Sequence, residues 1–162
     1  CPDVRSVICA IGGGGLLTGL GSALRAKAPH VKVLGAEPET AAPLSLSLAA
    51  GRAQEFTRWQ RSFVDGAGGR SVIPRMWQRM QPVVDGDIVV SLEDTRQAMR
   101  LIAEKARVIA EGAGAVALAA PSSRVTHEVM AHATRALEHH IERRLRSVAL
   151  FESAGFERVD RS

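Results

Sequence analysis

The sequence predicts an α/β fold, a partial parallel sheet with helices on both faces, followed by a mainly helical C-terminal tail. Three observations carry this expectation. Ser6-Val7-Ile8-Cys9-Ala10-Ile11 is a short apolar run that ends at glycines, as a strand buried on both faces does. Behind it Leu16, Leu20 and Leu24 recur four apart with Leu17 beside them, which is a helical spacing ended by Arg25, Lys27 and Pro29. Residues 31–36 form a second apolar run that closes at Glu37-Pro38, so residues 6–37 make one strand–helix–strand unit.

The remaining elements follow in order. Residues 40–50 read as a short helix. Ser62-Phe63-Val64 is strand-like, and Gly66, Gly68 and Gly69 punctuate a loop after it. Ile88-Val89-Val90 is a third strand. Ser91 then caps a helix, with Asp94 at the third position as a carboxylate for the free amides and an apolar face of Ala98, Met99, Ile102, Ala103 and Ala106. Residues 112–120 are small and apolar, suited to a tightly packed helix. After Pro121 the character changes, and Val125, Val129, Ala133, Leu137, Ile141 and Leu145 predict a long amphipathic helix. Pro121-Ser122-Ser123 is therefore taken as a boundary between a segment 1–120 and a divergent helical tail 121–162.

Composition narrows the function classes. The 162 residues suffice for one domain with a real core, and 46% hydrophobic against 23% charged residues is a soluble, globular balance. Aromatics make up only 4%, with no Tyr, which argues against a base-stacking nucleic-acid module. The net charge is +4, but the arginines are interleaved with Asp and Glu and no run of five basic residues occurs, so a solvated surface is expected. Cys9 lies in an apolar run and reads as a buried small hydrophobe; with Cys1 it makes neither a disulfide framework nor a zinc site. No apolar stretch reaches the roughly 18–20 residues of a membrane helix. No signal peptide is visible, so the cytoplasm is the expected compartment, with neither membrane nor nucleic acid as a partner. The chain opens at Cys1 in mid-pattern, as a piece of a longer protein would.

The chemistry-bearing feature is the run Gly12, Gly13, Gly14, Gly15 between a strand and a helix. Glycine beside regular structure costs about 1 kcal/mol relative to Ala. In return, bare backbone amides can turn to one point with no Cβ in the way, and the positive end of the helix starting near Leu16 adds to them. A phosphate fits such a place. A P-loop would need Gly-Lys-Ser/Thr, and here Leu16-Leu17 follow Gly15. A dinucleotide fingerprint would need a third glycine where Leu17 or Thr18 stands, although Glu37 sits where a ribose-binding acid would. A tight strand–helix turn without a ligand is the plainer alternative.

Val7-Ile8-Cys9-Ala10-Ile11-Gly12-Gly13-Gly14-Gly15-Leu16-Leu17-Thr18-Gly19 resembles the tetraglycine segment of the serine/threonine dehydratases and serine racemases, fold-type II pyridoxal-phosphate enzymes. Four further segments resemble that family in order: Val31-Lys32-Val33-Leu34-Gly35-Ala36-Glu37-Pro38, Val64-Asp65-Gly66, Asp87-Ile88-Val89-Val90-Ser91-Leu92-Glu93-Asp94 and Glu111-Gly112-Ala113-Gly114-Ala115. The resemblance implies that Gly12, Gly13, Gly14, Gly15 and the Leu16 amide hold the cofactor phosphate. It implies that Gly66 lies near the ring of pyridoxal 5'-phosphate and Glu111 at the ring edge. Glu37 and the Ala41 carbonyl match two ligands of a divalent-cation site in part of the family, while the third ligand is replaced by Pro43. Glu37 can equally be a carboxylate at the start of the next helix. The implied fold is part of the fold-type II large domain. The implied activity is a pyridoxal-phosphate-dependent ammonia-lyase (dehydratase) acting on L-threonine or L-serine to give a 2-oxo acid and ammonia. A homo-oligomer of the full-length parent stays open. The alternative reading is a non-catalytic phosphate- or nucleotide-binding α/β module.

The chain also departs from the family. Its three lysines, Lys27, Lys32 and Lys105, stand outside the Ser-x-Lys context of the Schiff-base lysine. Nothing after Ala120 matches the family's closing Ser-Gly-Gly-Asn stretch. As an incomplete chain it is expected to be inactive alone. Residues 147–159 resemble the closing helix–turn–strand of small acyl-CoA N-acetyltransferases, without their pyrophosphate loop; an ordinary helix and strand with Gly155 as C-cap is the other reading. His127 and His132 are five apart, about 140° out of register on a helix, so a solvated face is expected there rather than a metal pair.

Overall fold

In a computed structural model, which describes residues 4–124, the chain forms three parallel strands with helices on both sides. β1 (Ser6–Ala10) leads through the glycine loop into α1 (Gly15–Lys27) and back to β2 (Lys32–Pro38). α2 (Pro43–Ala50) follows, then a long loop that ends at α3 (Pro74–Met80) and a 3₁₀ turn, Gln81–Val83. β3 (Gly86–Val90), α4 (Leu92–Leu101), a π-helical turn Ile102–Ala106 and α5 (Gly112–Arg124) complete the described chain. The sheet order is β1-β2-β3, with Cys9 opposite Gly35 and Ala36 opposite Ile88.

The strand alternation explains the layers. On one face Cys9, Ile11 and Val33 pack with Leu17 of α1, Leu44 of α2 and Trp77 and Met80 of α3. On the other, Ala36, Ile88 and Val90 pack with Ala98 of α4 and Ala115, Val116 and Ala119 of α5, joined by the half-buried Ile8 and Ala10. Neighbouring residues of one strand thus serve opposite cores, which is why the strands read as continuous apolar runs. The expected helices on both faces and the buried Cys9 are observed.

Several elements differ from expectation. Ser62-Phe63-Val64 is not a strand: Val64 is buried in the second core, while Phe63 points outward under the Arg96 guanidinium, 5.1 Å from its ring centre. The run has apolar residues but no strand alongside it. α3 has no counterpart in the sequence reading. Pro74 occupies its first turn, where a missing N–H costs nothing, and Trp77 and Met80, three apart, reach the core. The helix after Ser91 gives way to the π turn and then to Arg107 at φ 55°, the single non-glycine residue with positive φ among those described. α5 continues through Pro121 to Arg124, so the proline does not end it. The amphipathic pattern of 125–145, His127 and His132, the acetyltransferase-like stretch 147–159 and Cys1 lie outside the described residues.

Candidate cofactor site

The glycine loop sits where parallel sheets hold ligands, at the carboxyl end of a strand. The Ile11 N–H still bonds to the Ala36 carbonyl, 3.0 Å, so the loop leaves the sheet only at Gly12. Gly14 is the N-cap of α1 and has φ 84°, a left-handed conformation in which a side chain would also press on Met76 Cγ at 3.0 Å. At Gly12 a Cβ would come 2.9 Å from the Gly66 carbonyl oxygen. Gly13 and Gly15 have nothing within 4 Å of where a Cβ would be, so their backbone is bare toward open space. Leu16 projects outward in the first turn of α1, 72% exposed.

Side-chain capping separates α1 from α2, α4 and α5, while the short α3 is likewise uncapped. The α2 amides of Leu44 and Ser45 donate to Glu37 Oε1 and Oε2 at 2.9 and 3.0 Å. In α4, the Asp94 amide donates to Ser91 Oγ at 3.0 Å and the Leu92 amide to Glu39 Oε1 at 2.8 Å. In α5, the Ala113 and Gly114 amides donate to Glu111 Oε2 and Oε1 at 2.6 and 2.7 Å. α1 has no side-chain cap and no acid in its first turn. Its free amides and dipole end are therefore answered by no group among the described residues, which is the condition for binding an anion.

The expected site residues converge in part. Gly12 packs on Gly66, and the Gly68 N–H donates to the Ile11 carbonyl at 2.9 Å, tying the 65–69 loop to the glycine loop. Glu111 Oε2 lies 3.8 Å from where a Cβ on Gly66 would be. A cleft of about 420 Å³ opens between Gly12, Gly13, Gly14 and the 65–73 loop, with Met76 and Met80 in its wall. Gly15, Leu16 and Glu111 stand outside that lining. The two methionines were not singled out from the sequence; Met76 Sδ also accepts from Thr18 Oγ1 at 3.5 Å. No signal short of locating α3 would have found them.

Glu37 is fully buried and spent on capping α2, with Pro43 at the first position of that helix. Of its three sequence readings, the helix-capping one describes this geometry. Burial pushes its carboxyl up to about 7, and the nearby Asp87 charge pushes the same way, against the two amide bonds. Among the described residues no group of three or more His, Cys, Asp or Glu gathers as a metal site. No lysine lines the cleft: Lys27, Lys32 and Lys105 are all exposed elsewhere.

The residues present fit a phosphate-bearing cofactor: an uncapped helix end, a loop whose Gly14 admits no side chain, and a Gly13 that lines the cleft with nothing within 4 Å of where a Cβ would be. The family described as pyridoxal-phosphate dependent enzyme matches residues 1–134. L-threonine ammonia-lyase of Thermotoga maritima is 35% identical over 119 residues, 74% of this chain and 29% of the relative. The chloroplastic biosynthetic threonine dehydratase of Solanum tuberosum is 32% identical over 117 residues, 72% of this chain and 32% of the relative. Among solved structures, the threonine deaminase of T.th. superposes with a TM-score of 0.70 at 37% identity, covering 74% of this chain and 42% of that one. Maize serine racemase gives 0.69 at 31% identity, covering 78% and 38%. The chain thus spans about a third of the length of these curated relatives. The chain belongs to the family of pyridoxal-phosphate dependent enzymes.

Proposed function

We propose that this chain is the phosphate-holding part of a threonine/serine dehydratase. The observation that carries the reading is the uncapped N-terminus of α1 behind Gly12, Gly13, Gly14 and Gly15, set beside Gly66. In this reading the loop amides and the Leu16 amide bind the phosphate. The Gly66 backbone lies along the cofactor ring. Glu111, held rigid by the Ala113 and Gly114 amides, presents its carboxylate near the ring edge. Pyridoxal 5'-phosphate, when bound, supplies the electron sink through which a hydroxy amino acid can lose water and give a 2-oxo acid and ammonia. The chain's own part is to bind and orient; its three lysines stand outside the cleft and move no proton there. L-threonine or L-serine as substrate is supported by the names of the relatives, which include threonine ammonia-lyases and threonine dehydratases. The same reading places the protein in the cytoplasm, although some plant relatives are named chloroplastic. Both Glu37 oxygens accept from α2 amides, and among the described residues no group of three or more His, Cys, Asp or Glu gathers to complete a cation site with Glu37 and the Ala41 carbonyl.

A nucleotide module is disfavoured by the same carboxylate. The acid that would reach a ribose is buried under α2 and faces no cleft. Titration of the purified chain with pyridoxal 5'-phosphate and with NAD distinguishes the two readings. Saturable binding of the former that inorganic phosphate competes away is the expected result. Tighter binding of NAD would overturn the proposal.

A further inference from the structure

Gly68 is neither in the glycine loop nor among the residues the family resemblance assigns to the cofactor, yet three parts of the fold close on it. Its backbone is left-handed at φ 76°. A Cβ there would lie 2.7 Å from Ala41 Cβ, 2.8 Å from Pro38 Cγ and 3.1 Å from the Ala41 carbonyl oxygen, at the end of β2 and in the turn after it. Its N–H donates to the carbonyl of Ile11, the residue that opens the glycine loop, at 2.9 Å. Its own carbonyl accepts from Trp59 Nε1 at 3.2 Å, and the Trp59 ring carries the Arg70 guanidinium 4.3 Å from its centre.

Neither side of this wedge can recede. Pro38 and Ala41 are buried and joined by the Ala41 N–H to Pro38 carbonyl bond, 2.8 Å. Ile11 is buried and fixed to β2 through Ala36. Any side chain at 68 must therefore displace the 65–69 loop. That movement breaks the bond to Ile11 and draws the Gly66 carbonyl off Gly12, where it fills the space of a missing Cβ at 2.9 Å. Hydrogen bonds to an anion weaken steeply with misplaced donors, so a small shift at Gly12 and Gly13 reaches the phosphate.

We infer that Gly68 is a positioning residue for the phosphate loop, acting through Ile11 and Gly66 on the amides of Gly12 and Gly13. The inference rests on the cofactor reading proposed above. The test titrates the full 162-residue chain with pyridoxamine 5'-phosphate, whose own fluorescence anisotropy reports binding. Lacking an aldehyde, this probe forms no adduct with the three exposed lysines. Thermal melts run in parallel. Gly68→Ala is expected to bind roughly fivefold or more weakly while still melting cooperatively. Adding Ala41→Gly removes the nearest clash and recovers at least about half of the logarithmic loss. Equal binding by the unmodified chain and Gly68→Ala overturns the inference alone, as does a folded double variant no better than the single one. No saturable binding by the unmodified chain overturns the cofactor reading and this inference with it. Should Gly68→Ala fail to fold, Ala41→Ser enlarges the same contact from the other side: weaker binding supports the inference, and unchanged binding overturns it.

Discussion

Replacing Glu37 by Gln changes how stability depends on pH, and the structure fixes the sign. The carboxyl is wholly buried and rises from its ordinary 4.5 to about 7, mainly through burial, with the Asp87 charge adding to it. The folded chain therefore holds this proton more tightly than the unfolded chain. Its contribution is fully present below about 4.5 and is lost as pH rises through about 7. A group shifted this far contributes roughly 2 to 3 kcal/mol of change between pH 5 and pH 8. The glutamine side chain would not titrate. It keeps one acceptor for the Leu44 or Ser45 amide and loses the other, a cost of about 1 kcal/mol at all pH values. Glu37→Gln should thus be the less stable protein at pH 5 and equal or more stable at pH 8. Urea midpoints across that range measure it, since the difference between the two proteins removes the titrating groups that do not interact with Glu37. Parallel curves would refute the reasoning, by showing that the carboxyl stays ionised under α2.

Three further outcomes follow from the same geometry. Gly14→Ala forces an L side chain into φ 84° against Met76 and should cost about 1–2 kcal/mol in thermal unfolding, with weaker binding of pyridoxal 5'-phosphate. Gly19→Ala, at an exposed position within α1 with nothing inside 4 Å, should instead stabilise by about 0.5–1 kcal/mol, so a melt that drops would contradict the open space seen there. Ser91→Ala removes the oxygen that accepts the Asp94 amide and should lower stability by about 1 kcal/mol, read as a shifted urea midpoint with an unchanged slope.

What was legible in the sequence was whatever local rules decide. The β1–loop–α1–β2 unit rests on one apolar run, one leucine spacing and one glycine cluster, and it stands as read. The Ser91–Asp94 cap is a three-residue relation and also holds. Less local features were hidden. α3 is seven residues between Pro74 and Pro82, too short to be stable by propensity, and it exists because Trp77 and Met80 find the core. The run 62–64 has strand composition but pairs with no strand of the sheet. Glu37 stayed ambiguous because its partners, the Leu44 and Ser45 amides, are set by how α2 turns back on β2. Gly68 shows the limit most clearly: its glycine requirement comes from Pro38 and Ala41, about thirty residues away, and no pattern around position 68 encodes them.

The site itself divides along the same line. In the proposed reading, phosphate at Gly12, Gly13, Gly14 and Gly15 would be held by main-chain amides, so a local glycine run is both the signal and the machinery. Glu111 likewise belongs to its own helix start, where Ala113 and Gly114 hold it. Proton transfer needs a side chain brought to the cofactor from another place in the sequence, and none of the three lysines lines the cleft. In that reading cofactor affinity is independent of turnover, because the proposed binding groups are backbone amides set by β1, α1 and the 65–69 loop. With pyridoxal 5'-phosphate, the expected outcome is saturable binding to the chain on its own with no release of 2-oxo acid from L-threonine beyond that of the free cofactor.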